Sequence, residues 1–93
     1  MNQHEELARG EAARLILESE TYQESYQSVR EALIGAWEQA PLRDKDGANE
    51  LKLMLKLLGD VRKNMEAALT TGKMAKITIE RTPMERARRL VSI

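Results

Sequence analysis

The chain has 93 residues, no cysteine and a formal charge of zero. A chain this short folds as one domain with a thin core, and without cysteine it has neither disulfides nor thiolate chemistry to stabilise it. Oligomerisation is then the remaining common help for a small helical protein. Aromatic residues are limited to Tyr22, Tyr26 and Trp37, while Ala, Leu, Glu, Lys, Arg, Gln and Met dominate. These are the strong helix formers, so an all-α fold is expected. No run approaches 18 apolar residues, so no membrane span is expected. The polar start MNQHEELARG lacks the features of a signal peptide. A cytoplasmic setting follows.

The charge is unevenly placed. Residues 1–72 hold 9 Lys/Arg against 13 Asp/Glu, and residues 73–93 hold 6 against 2. An acidic helical domain over 1–72 followed by a basic C-terminal arm over 73–93 is the expected organisation.

Residues 1–4 read as frayed. From Glu5 to Ser19 the apolar residues Leu7, Ala8, Ala12, Leu15 and Ile16 fall at helical spacing. Gly10 within this segment costs roughly 1 kcal/mol relative to alanine. Thr21 and Glu24 form a capping box, which predicts a helix from about Tyr22. Its apolar residues Tyr22, Tyr26, Val29, Leu33, Ala36, Trp37 and Ala40 make a seam of alternating three- and four-residue steps. Pro41 ends it, because the residue before a proline is driven out of the helical region. The turn Pro41–Gly47 offers Asp44 or Asp46 as the next N-cap. Such a short connection makes its two helices antiparallel neighbours.

The following helix, about 48–71, contains Glu50–Leu69 (ELKLMLKLLGDVRKNMEAAL), the longest apolar-periodic run in the chain. Leu51, Met54, Leu55, Leu58, Val61, Met65 and Leu69 form its main face. Leu53 and Leu57 point 100° or more away from that face. A helix apolar on two sides needs cover on two sides. Trp37, Leu53, Leu57, Val61 and Met65 are therefore the candidate oligomer interface. Gly72 reads as a C-terminal stop in the left-handed conformation. Beyond it, Met74–Glu80 alternates weakly and reads as a short strand or extended arm. Thr82-Pro83-Met84-Glu85 is a second helix start, leading into a short basic helix over 83–90.

Chemistry-bearing motifs are scarce. His4, Glu5 and Glu6 are sequence neighbours and do not face a common point on a helix. The Asp44–Glu50 stretch lacks the glycine and glutamate positions of a calcium loop. Gly72-Lys73 has Ala67 where a phosphate loop needs glycine. No nucleophile–base or paired-carboxylate arrangement stands out. The expectation is a non-enzyme with no cofactor, no metal and no small-molecule substrate. Arg81, Arg86, Arg88 and Arg89 of the basic arm are the candidates for contacting a protein partner or nucleic-acid phosphates. No aromatic residue interleaves with them, which disfavours single-strand stacking. The helix over Tyr22–Gln39 carries one Arg and three Glu, which suits it poorly to the recognition helix of a helix-turn-helix.

Arg14-Leu15-Ile16-Leu17, Val29-Arg30, Trp37-Glu38, the Asp44–Gly47 turn, Glu50-Leu51 and Gly72-Lys73-Met74-Ala75 occur in an order that resembles small helical phage proteins encoded among packaging and virion genes. The resemblance covers roughly residues 5–76 and brings no catalytic residues with it. It implies a virion or host-cytoplasm setting and other virion or packaging proteins as partners. The hairpin followed by a strand-like segment is also similar to phage small terminase subunits, although no separate DNA-binding domain is evident. The expected protein is thus a self-associating helical hairpin (about 22–40 and 48–71) with a short N-terminal helix, used in virion assembly or DNA packaging. The alternatives are a nucleic-acid-binding accessory protein acting through the basic arm, and a small inhibitor of a host protein acting through the acidic face of the first two helices.

Overall fold

A computed structural model of the chain describes the backbone of residues 2–91 and the side chains of residues 2–81. Three helices follow in order: α1 (Gln3–Glu18), α2 (Glu20–Gln39) and α3 (Lys45–Val91). No strand occurs among the described residues. The all-α class and the hairpin of α2 with the first part of α3 agree with the sequence. The helix limits differ at several ends, each for a local reason.

The N-terminus is capped rather than frayed. Asn2 Oδ1 accepts from the Glu5 amide at 2.8 Å, and its carbonyl accepts from the Glu6 amide at 3.0 Å. Between α1 and α2 the cap is Ser19 rather than Thr21. Ser19 has extended backbone (φ −64, ψ 124) and its hydroxyl accepts from the Tyr22 amide at 3.3 Å. Between α1 and α2 Ser19 alone is non-helical, and Thr21 lies inside α2. Ahead of Pro41, Ala40 is extended (φ −63, ψ 134) as expected. Asp44 is the cap of α3, its Oδ1 accepting from the Gly47 amide at 3.0 Å.

The largest correction concerns residues 72–81, which continue α3 instead of forming a stop and an extended arm. A lone strand here would leave its amides and carbonyls without partners, whereas a helix satisfies them internally. Thr78 adapts by donating its hydroxyl to the Met74 carbonyl at 3.1 Å, as Thr70 does to Glu66 at 3.1 Å. No described glycine has a positive φ, so Gly72 is not a left-handed cap. The expected helix start at Thr82 lies within α3 and beyond the described side chains.

The chain divides into two compact units, Met1–Leu15 with Met65–Ile93, and Ile16–Asn64. In the first, α1 crosses α3 through small residues. Gly10, Ala13, Gly72 and Ala75 are buried. A Cβ on Gly10 would lie 2.7 Å from Gly72 Cα and 2.9 Å from the Ala68 carbonyl oxygen. A Cβ on Gly72 would lie 2.8 Å from Gly10 Cα and 3.1 Å from the Glu6 carbonyl oxygen. The two backbones therefore touch, and neither position has room for a side chain. The inward face of α1 runs through Glu6, Gly10 and Ala13, not through Ala8, Ala12 and Leu15. Leu15 and Ile16 are 59% and 46% exposed.

In the second unit α2 and the first half of α3 form the hairpin. Half-buried Ala48, Leu51, Leu55, Leu58 and Arg62 follow one another at steps of three and four residues, the spacing of a helix–helix seam. From α2, Tyr22, Tyr26, Leu33, Ile34 and Ala40 are half-buried. Met54, Val61, Val29 and Trp37, expected on the main faces, remain about half exposed. Arg62 occupies the seam with its guanidinium carbon 5.0 Å from the centre of the Tyr26 ring, where cation–π attraction lets a charged group sit against an apolar surface.

The glycine crossing makes a signed prediction. Gly10→Ala must push two backbones apart and should destabilise the protein by about 1–3 kcal/mol. Gly35, whose added Cβ meets nothing within 4 Å, should behave oppositely, with Gly35→Ala gaining up to about 1 kcal/mol from helix propensity. Urea titrations followed by circular dichroism compare the two. Equal or greater stability for Gly10→Ala would refute the close crossing.

Candidate interaction surfaces

Along α3 successive residues turn by 100°, so the seam leaves two flanks on the hairpin. On one flank a groove of 640 Å³ runs between α2 and α3, lined by Tyr26, Arg30, Ile34 and Trp37 from α2 and by Lys52, Leu55, Lys56, Gly59, Asp60 and Lys63 from α3. Its floor is apolar and its rim carries four cations and one carboxylate. Gly59 forms part of that floor, and a Cβ there would meet nothing within 4 Å. A smaller depression of 380 Å³ adjoins Trp37 at the hairpin turn, beside Pro41 and Leu42. Leu42, at the tip, is 99% exposed.

Away from the groove, Leu53, Met54, Leu57 and Val61 form an uncharged stripe about 100° wide. Each is roughly half exposed. The candidate interface residues therefore do not gather on one surface. Leu53, Leu57 and Val61 share the stripe, Trp37 lines the groove, and Met65 is half-buried in the other unit. What sequence reasoning missed is the groove itself. Arg30, Lys52, Lys56 and Lys63 are dispersed in sequence and converge only once the register of the hairpin is known.

The unit built on the glycine crossing offers less. A crevice of 230 Å³ beside Gly10 and Gly72 is lined also by Leu7, Glu11, Arg14, Leu69, Lys73 and Lys76. Arg14 Nε donates to both Glu11 carboxylate oxygens, at 3.0 and 3.1 Å. These hydrogen bonds hold the Glu11 carboxyl below its usual range, outweighing desolvation, with attraction from the charges of Arg14 and Lys76 adding to them. The pair is accessible to solvent, so it orients side chains and contributes little to stability. Arg81 is exposed, while Arg86, Arg88 and Arg89 lie beyond the described side chains. Among the described residues no three His, Asp or Glu side chains are grouped to hold a metal, and no helix is long and apolar enough to cross a membrane. No protein-family model, curated protein or solved structure matches the chain.

Tyr22 sits above the groove on α2, its ring centre 6.0 Å from that of Tyr26. Its hydroxyl is buried without a hydrogen-bond partner. Burying an unsatisfied hydroxyl costs on the order of 1–3 kcal/mol, so Tyr22→Phe should raise stability by about 1 kcal/mol. Thermal melts of the two proteins at equal concentration measure this, and a loss of stability would mean that the hydroxyl is in fact bonded.

Proposed function

We propose that this chain is a non-enzymatic helical protein that self-associates and acts by protein–protein contacts. The observation that carries the reading is the uncovered stripe Leu53, Met54, Leu57 and Val61 in a chain that has almost no core of its own. Among the described residues the buried hydrophobic side chains are Ala13 and Ala75 alone, and no large side chain is fully buried. Native stability is a small surplus over a large entropy cost, and half-buried leucines do not supply it comfortably. A second copy on the stripe would finish burying it. The stripe carries no charge, so two copies meeting about a two-fold axis encounter no like-charge repulsion there. The setting in virion assembly or DNA packaging rests on the resemblance of residues 5–76 to small phage proteins, and other virion proteins are the proposed wider partners.

The protein should be a dimer or larger at micromolar concentration, with a melting temperature that rises with protein concentration. Leu57→Glu and Val61→Glu place charge on the stripe at positions that are 55% and 57% exposed in the single chain. They should shift the mass toward one subunit without destroying the helical spectrum. Native mass spectrometry and light scattering read the outcome. A wild-type monomer at micromolar concentration would refute self-association.

A further inference from the structure

The groove on the other flank has a different chemistry from the stripe and calls for a different occupant. We propose that it is a docking site for an acidic amphipathic helix of another protein. Three observations carry this. First, the cations are concentrated. Residues 1–72 are net acidic, with 9 basic residues against 13 acidic, yet Arg30, Lys52, Lys56 and Lys63 all line this one groove. None of the four has an ion pair or hydrogen bond among the described residues. Second, the rim is ordered along a line. Lys52, Lys56 and Lys63 lie on the same side of α3 and span about 16 Å, or three helical turns. A helix laid along the groove with carboxylates one and three turns apart would meet them in succession, while Arg30 closes the opposite wall from α2. Third, the floor is apolar and notched. Tyr26, Ile34, Trp37 and Leu55 line it together with Gly59, and a Cβ on that glycine would meet nothing within 4 Å, which leaves open space for an apolar side chain of the partner. An apolar ridge flanked by acids is what this floor and rim would complement, as in other helix-in-groove complexes.

The charge also decides between candidate occupants. A second copy docking groove to groove about a two-fold axis would set the same four cations against each other, which disfavours the contact. Nucleic acid would meet the rim but not the sunken apolar floor, and Asp60 on the rim would oppose its phosphates.

Fluorescence of the only tryptophan, Trp37, reports on the groove directly. The probe is a synthetic 18-residue helical peptide without tryptophan, with Leu and Phe along one face and Glu on both flanks of that face. A second peptide replaces every Glu by Lys. The acidic peptide should shift the Trp37 emission and bind with an affinity that falls as salt is raised. Lys52→Glu with Lys56→Glu should weaken it by about tenfold or more and favour the basic peptide instead. Gly59→Phe should block the floor and weaken binding similarly, whereas Gly59→Ala should keep binding and confirm that the position tolerates substitution. Equal affinity for acidic and basic peptides, or binding unaffected by both groove variants, would overturn the proposal. So would a short DNA duplex that displaces the peptide and binds tighter than it does, or a subunit mass that falls to the monomer in the lysine variant. The stripe variant Leu57→Glu should leave peptide binding intact, which separates failure here from failure of self-association.

Discussion

The structure depends on α3 serving two partners with side chains of very different size. Against α1 it presents Gly72 and Ala75, and the backbones come into contact. Against α2 it presents Leu51, Leu55, Leu58 and Arg62, whose bulk holds the helix axes apart. The separation of packed helices is set by the side chains at the contact, and the consequences are visible on each side. The small-residue crossing leaves a crevice of 230 Å³, whereas the hairpin leaves a groove of 640 Å³. Tight packing closes off a surface and wide packing creates one. The binding potential of this molecule therefore lies with the hairpin, where large residues meet, more than with the glycine crossing, where the fit is closest.

The same division accounts for the thin core. Small residues bury completely but remove little apolar area from water, on the order of a methyl group each. Large residues carry more area, but a two-helix hairpin covers only one side of each helix, and leucines on its flanks stay half in solvent. Two helices cannot enclose a leucine from all sides. A third and fourth helix can, and that geometric shortfall is the physical root of the association reading.

Much of this was legible in the sequence, and the exceptions share a cause. The helical class followed from composition and the end of α2 from Pro41, while the cap of α3 was narrowed to Asp44 or Asp46, because each of these is decided by residues within one turn. The surplus of Leu53 and Leu57 was legible as well, since it needs only the helical repeat. Gly10 and Gly72 were misread as a propensity cost and a helix stop, because their role is defined by each other across about 60 positions of chain. With that contact unseen, Met74–Glu80 reads as a short strand or extended arm on its weak alternation and its Ile-Thr-Ile run, where tertiary packing overrides propensity. At the α1–α2 junction two candidate caps lay two residues apart, and the simpler Ser19 bond prevailed over the Thr21 capping box. The basic groove was invisible for a similar reason, as its cations come from two helices and only the hairpin register brings them together.

The two flanks are also tied to one another by the helical repeat. Lys52 and Lys56 on the groove immediately precede Leu53 and Leu57 on the stripe, so adjacent residues face surfaces 100° apart. A partner on one flank does not cover the other, and both can be occupied together. Their chemistry differs: the stripe carries no charge, whereas the groove carries four cations and one carboxylate. Inserting one residue between Lys56 and Val61 would rotate Val61 and Lys63 by 100° relative to Lys56 and break both surfaces at once. The separation of the uncharged stripe from the lysines of the groove thus rests on the unbroken spacing of this stretch of α3.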